Sequence, residues 1–235
     1  MSAVLSRQPA HLPARAGLLF DLDGTLATTE HLHRAAYDAL LERHGRVLDA
    51  ETFATHVRGR AGRDVVRALF PESGDGERVH LAERKEEAFR ELAAARGLVP
   101  TPGAHALIAW ARARGVATAL VTNAPRANAE LVLEVLGLAG DFDVLISASE
   151  IARGKPHPDP YIAGLKALSL DAAHAIAVED SPVGVASARA AHLDVIAIRS
   201  STCDASVIRD AAMTVTDMAD PRLLAFLAAR FGFAA

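Results

Sequence analysis

Gly17-Leu18-Leu19-Phe20-Asp21-Leu22-Asp23-Gly24-Thr25-Leu26 is a short, unbroken apolar run that ends in two carboxylates, a glycine and a threonine. A run of this kind reads as a strand buried on both faces, as in a parallel sheet. Asp21 and Asp23 are two apart, so they project to one side if the strand geometry persists to its end. Two carboxylates that close need a cation or a shared proton. Gly24 permits a tight turn directly afterwards. Charged groups at the carboxyl end of a parallel strand lie where open α/β sheets place their ligands. Taken alone, a D-x-D is more readily a pair of solvated aspartates in a turn. The rest of the chain decides between the two.

The rhythm changes after Leu26. Apolar spacing predicts helices over Glu30–His44, Glu51–Val57, Asp64–Phe70 and Arg78–Arg96, with Thr28 or Thr29 capping the first. On the last of them Leu81, Ala88, Phe89 and Leu92 form the apolar stripe. Residues 28–99 therefore read as an all-helical block. Pro100-Thr101-Pro102-Gly103 punctuates the chain, and helices then alternate with strands. Strands are expected at Val116–Val121, Phe142–Ile146, Ala175–Val178, Val195–Ile198 and Met213–Val215. The intervening helices are Ala104–Arg114, Ala127–Leu136, Pro160–Leu168, Val183–Ala191 and Ala219–Phe231. Alternation of this kind implies a doubly wound parallel sheet with a Rossmann-like core. The expected organisation is an N-terminal tail (1–16), an α/β core (17–27 and 100–235), and a helical cap (28–99) inserted into it.

Composition narrows the function. The chain has 235 residues, is 51% hydrophobic and carries a net charge of −4, which gives no nucleic-acid footprint. No apolar run approaches the roughly 20 residues that span a membrane. One cysteine, Cys203, excludes an internal disulfide and suits a reducing, cytoplasmic setting. Met1–Ala16 holds two arginines and two prolines without the apolar core of a secretory signal, and reads as a frayed tail.

Four strand ends carry polar groups: Asp21 and Asp23, then Thr122-Asn123, then Lys155 in Gly154-Lys155-Pro156 after the third strand, then Glu179-Asp180. Parallel strands put these on one edge. Carboxylate oxygens suit Mg²⁺, and a lysine with a threonine hydroxyl suits a phosphate.

These four motifs, in order and spanning Gly17 to about Ile198, resemble the haloacid dehalogenase superfamily, and within it the helical-cap phosphatases and the β-phosphoglucomutase-like subfamily. The resemblance implies a Mg²⁺-dependent phosphomonoester hydrolase acting on a sugar phosphate or phosphoglycolate through an aspartyl-phosphate. Asp21 would be the nucleophile, and Asp23 the acid and base. Thr122 and Lys155 would hold the phosphoryl group, and Asp21, Asp23 (by its carbonyl), Glu179 and Asp180 would hold the metal. The dehalogenases of the superfamily lack the second aspartate, so Asp23 and Glu179-Asp180 argue against that chemistry. Thr29, His33 and Lys85 resemble hinge and cap positions of the sugar-phosphate enzymes. Asn123, Arg63 and Lys85 are further candidates for substrate contact. The alternative is a phosphohexose mutase. Against it, Gly59 is followed by Arg60, Ala61 and Gly62, with Arg63 one place late, and Ala124-Pro125-Arg126 stands where the mutases carry Ser-Lys-Asn. The partner implied is a small phosphorylated molecule, bound by a monomer or weak dimer, with no nucleic acid and no membrane.

Several residues read more plainly. Arg58, Arg60 and Arg63 suit either an anionic substrate group or a solvated loop. Lys85, among Glu83, Glu86 and Glu87, also suits a surface ion-pair helix. Asp159 reads as a helix cap, His157 as a loop shaper, and Trp110 as core.

Overall fold

A computed structural model describes residues 16–57, 62–200 and 205–233. The tail, Arg58, Arg60 and Cys203 lie outside the described residues. The sheet has six parallel strands in the order β3-β2-β1-β4-β5-β6. The strands are β1 (Gly17–Phe20), β2 (Ala117–Thr122), β3 (Val144–Ser147), β4 (Ala175–Glu179), β5 (Asp194–Ile198) and β6 (Met213–Val215). Strand β1 is central: Phe20 lies opposite Leu120 of β2 and Val178 of β4. All residues of β1, β2 and β4 are buried, which is why their sequences are apolar without alternation.

Side chains alternate between two cores. Leu18, Phe20, Leu120, Ile176 and Val178 meet the helices α5 (Ala104–Ala113), α6 (Arg126–Val135) and α10 (Pro221–Phe231). Leu19, Ala119, Val121, Ala177 and Val195 meet α7 (Asp159–Leu168), α8 (Pro182–Ala190) and α9 (Ala205–Asp210). The fold is thus α/β and doubly wound. The connection from β3 through α7 returns the chain across the sheet to β4, beside β1. Strand order reverses there, and that crevice is the ligand position of open α/β sheets.

Among the described residues of 28–99 the regular elements are all helical: α1 (Glu30–Glu42), α2 (Ala50–Thr52) running into a π-helical stretch at Phe53–Val57, α3 (Gly62–Leu69) and α4 (Asp75–Arg96). Their upper parts share an apolar cluster that includes Tyr37, Leu41, Phe53, Val66 and Leu81. Their lower parts do not: Leu32 and Ala36 of α1, with Phe89 and Ala93 of α4, belong to the same cluster as Leu18 and Leu107.

Some boundaries differ from the sequence reading. Helix α4 starts at Asp75 rather than Arg78, because Gly74 takes the cap position and Asp75 and Glu77 fill the first turn, where the helix dipole favours acids. Thr29 is the cap residue of α1, but its hydroxyl is turned to Asp23 instead of the helix N–H groups. Asp159 is the first residue of α7, not its cap, and its carboxylate pairs with Arg153. Helix α9 was not expected. Trp110 is half-buried, packed edge-on against Phe233.

Candidate active site

The β1 end builds the site through its turn. The Asp21 N–H still donates to the Val178 carbonyl at 2.9 Å, so pairing persists one residue past the strand. Gly24 then adopts φ +84°, and a Cβ there would lie 2.2 Å from Asp180 Oδ2. Only glycine meets both conditions. Thr25 Oγ1 donates to Asp180 Oδ1 at 3.3 Å. The turn after β1 is thereby fitted around the carboxylate that follows β4.

Lys155 is the centre of charge. Its Nζ donates to Asp21 Oδ1 (2.6 Å), Glu179 Oε1 (2.6 Å) and the Val121 carbonyl (2.7 Å). Those three acceptors use all three ammonium protons. Asn123 fixes the loop that carries it: the Lys155 N–H donates to Asn123 Oδ1 at 2.9 Å, and Asn123 Nδ2 donates to the Lys155 carbonyl at 3.2 Å. Glu179 Oε1 also accepts from the Tyr161 hydroxyl at 2.8 Å, and its Oε2 accepts from the Asp180 N–H and Ser181 Oγ. Thr122 Oγ1 accepts the Ala124 N–H at 3.0 Å.

Burial pushes the Asp21 carboxyl well above its ordinary range; Lys155 opposes this, and Glu179, Asp180 and Asp23 add to it. For Lys155, burial works to lower the ammonium, but Asp21 and Glu179 outweigh it and hold the group charged. One buried cation therefore faces three buried carboxylates, those of Asp21, Glu179 and Asp180.

Asp23 looks the other way. Its Oδ1 accepts from Thr29 Oγ1 at 2.6 Å and from His33 Nε2 at 3.4 Å. Lys85 Nζ lies 2.8 Å from His33 Nδ1. A lysine ammonium only donates, so Nδ1 accepts and the ring proton sits on Nε2, facing Asp23. Burial alone would raise Asp23, but the hydrogen bonds from His33 and Thr29, with the Lys85 charge behind the imidazole, bring it below its usual value. Lys85 also donates to both oxygens of Glu86, at 3.1 and 3.2 Å. Glu86 Oε2 accepts from Asn128 Nδ2 at 2.6 Å, and Asn128 Oδ1 accepts from Arg90 Nη1 at 2.8 Å. The His33 ring stacks on Phe89 at 4.2 Å.

The profile of the haloacid dehalogenase-like hydrolases matches residues 16–192. The chain belongs to the haloacid dehalogenase-like hydrolase family. Among its relatives is validoxylamine A 7'-phosphate phosphatase of Streptomyces hygroscopicus subsp. limoneus, 32% identical over 206 residues, covering 87% of this chain and 94% of the other. Hexitol phosphatase A of Escherichia coli K12 is 32% identical over 184 residues, covering 78% and 83%. The crystal structure of CbbY from Rhodobacter sphaeroides in complex with phosphate superposes with a TM-score of 0.81 at 27% identity, covering 88% and 96%. Like the relatives so named, this member of the family is a phosphatase.

In this hydrolase the sequence-predicted residues fall into three groups. Asp21, Lys155, Glu179 and Asp180 form one buried cluster, with Thr122 and Asn123 at the next strand end. Asp23, Thr29, His33 and Lys85 form a second. Arg63 is exposed on the first turn of α3 and joins neither. Lys85 is buried and directed at His33, so the reading as a surface ion-pair helix is wrong. Its signal was present in the sequence: Leu81, Lys85, Phe89 and Ala93 are spaced by four and share one face. Glu86 enters the sequence reading only as a charged neighbour of Lys85, and Arg90, Asn128 and Tyr161 do not enter it.

One oxygen from each of Asp21, Glu179 and Asp180 lies within 4.8 Å of the others. An all-carboxylate donor set fits a hard divalent cation, and the charge excess over Lys155 supplies the need for one.

Proposed function

We propose that this phosphatase hydrolyses phosphomonoesters of small sugar-like metabolites, with Mg²⁺ as cofactor and Asp21 as nucleophile. The carrying observation is the division of labour between the two aspartates. Asp21 sits against Lys155 and the acidic cluster, whereas Asp23 sits against Thr29 and His33. A carboxylate paired with a fixed ammonium suits attack on a phosphoryl group, because the ammonium also offsets repulsion from the anionic substrate. A carboxylate wired to a histidine suits proton transfer.

On this reading an Asp21 oxygen bonds to phosphorus as the ester oxygen departs, and Asp23 gives that oxygen its proton. A water then attacks the phosphorus of the aspartyl-phosphate and yields its proton to Asp23. The Asp21–phosphorus bond breaks, phosphate leaves, and both aspartates are restored. Thr122, whose hydroxyl can donate while it accepts, and Lys155, by turning one of its three protons from a protein acceptor to the substrate, hold the equatorial oxygens. Asp21, Asp180 and the Asp23 carbonyl are the groups that would hold Mg²⁺, which supplies charge neutralisation at the phosphoryl oxygens. Glu179 is better read as the anchor of Lys155, since each of its oxygens already accepts two hydrogen bonds. The helical block 28–99 serves as the cap over this edge. The sugar-phosphate class is supported by the relatives named for a validoxylamine phosphate and for hexitols.

The test is phosphate release across a panel of phosphorylated metabolites, with Mg²⁺ and with EDTA. Metal-dependent release from sugar or polyol phosphates is expected, and Asp21→Asn should lose roughly 10⁴-fold or more. Isomerisation of a hexose phosphate without release would point to the mutase. Substantial activity in Asp21→Asn would remove Asp21 from its role.

A further inference from the structure

The mechanism above uses Asp23, yet the polar chain that begins there continues well past it. It crosses from the cap into the core at Asn128, which is 1% exposed and lies on the third residue of α6. Its amide is fully determined. Arg90 only donates, so it faces Oδ1; the Glu86 carboxylate only accepts, so it faces Nδ2. Glu86 and Arg90 are four apart on α4 and so stand on one face, one turn apart. Asn128 therefore holds α4 at two points, and fixes both its rotation and its height over the sheet edge. Glu86 is the next residue to Lys85 and accepts from it with both oxygens. Lys85 in turn holds His33, which holds Asp23.

We propose that Asn128 is a positioning residue for proton transfer: by clamping Glu86 and Arg90 it sets the Lys85–His33 pair against Asp23. This rests on the reading of Asp23 as acid and base. Asn128 touches no reacting atom, and its influence runs through the cap helix. Contacts of Lys85 with the Tyr37 and Phe89 rings, at 4.9 and 5.6 Å, supply a second hold on the lysine. Loss of Asn128 should therefore weaken the arrangement without abolishing it.

The test compares two leaving groups. Proton donation matters for a sugar phosphate, whose alkoxide leaves poorly, and little for p-nitrophenyl phosphate. Asn128→Ala and the nearly isosteric Asn128→Asp should each lower kcat/KM for the sugar phosphate about tenfold, and for p-nitrophenyl phosphate less than about threefold. Asn128→Asp keeps the Arg90 contact but sets two carboxylates against each other at the Glu86 contact. Adding Glu86→Gln reverses the donor and acceptor there and leaves Lys85 its bond to the remaining oxygen, so the double variant should recover part of the loss on the sugar phosphate. Equal losses on both substrates, no loss on either, or no recovery in the double variant would overturn the coupling. Asp23→Asn run alongside separates the two ideas. If it too loses equally on both substrates, the acid role of Asp23 fails and takes this inference with it. If it discriminates and the Asn128 variants do not, the coupling alone is wrong. Should Asn128→Ala not fold, Asn128→Asp and its rescue carry the same comparison.

Discussion

Asp21 and Asp23 are two residues apart on one turn, yet the fold gives them opposite surroundings. Burial and three neighbouring carboxylates raise Asp21, with Lys155 as its counterweight. Asp23 is brought down against its own burial by Thr29 and His33. Asp23 thus rests as a carboxylate, the form a base needs, and acts as an acid once an anionic phosphate beside it favours protonation. The lowered value also has a consequence for stability. A carboxyl depressed by folding stabilises the native state above its unfolded value of about 3.9, and that contribution is lost as pH falls through the lower folded value. Asp23→Asn should therefore lower Tm near neutral pH, with the gap from the parent closing as the pH is taken below 4. Thermal unfolding of both proteins across that range checks the sign, and a gap that widens in acid would contradict it. In activity, Asp23→Asn should cost about 10²–10⁴-fold in kcat/KM on the sugar phosphate.

At the scale of elements, the site depends on how closely α8 approaches β4. A Cβ on Gly184 would lie 2.0 Å from the Glu179 carboxyl atoms, and the Gly184 N–H donates to the Ser181 cap hydroxyl at 3.1 Å. Gly184→Ala must move either the helix or Glu179, and Glu179 carries Lys155 and Tyr161. The expected cost is about 1–3 kcal/mol in denaturant unfolding, with a fall in kcat larger than the stability loss explains. Unchanged unfolding and turnover together would mean that Glu179 has room to shift. The sequence indicated much of this architecture and little of this contact. Apolar runs such as Gly17–Phe20 and Ala175–Val178 read as buried strands because both faces are covered, and their polar endings named the site. Lys85 read both as a cap residue directed at the site and, from its neighbouring glutamates, as part of a surface ion-pair helix; its place between Leu81 and Phe89 agrees with the burial found. Asn128 was not legible: its partners on α4 lie 42 and 38 residues away, and no local spacing records which helix packs against which. The Asp159 carboxylate went to Arg153 rather than to its helix for a related reason, since the loop that brings Arg153 near it has no periodicity.

For the whole molecule, the cap and the sheet are not separate bodies. Phe89 and Ala93 of α4 and Leu32 and Ala36 of α1 share an apolar cluster with β1 and α5, so the native state carries the acidic edge and the cap helices together. That state brings Asp21 and Asp180 together at one edge beside Glu179, whereas the unfolded chain holds the two aspartates 159 positions apart. A divalent cation should then bind the folded protein and not the unfolded one. Saturation at about 100 times Kd adds about 2.7 kcal/mol, and for a chain of this size each kcal/mol moves Tm by about 2–4 °C. Mg²⁺ should accordingly raise Tm by several degrees, EDTA should reverse the shift, and Asp180→Asn should remove most of it. That last variant relieves one of three crowded carboxylates, so without metal it should be no less stable than the parent. A Tm indifferent to Mg²⁺ in the parent, or a full shift retained in Asp180→Asn, would leave the three carboxylates balanced by Lys155 and protons alone.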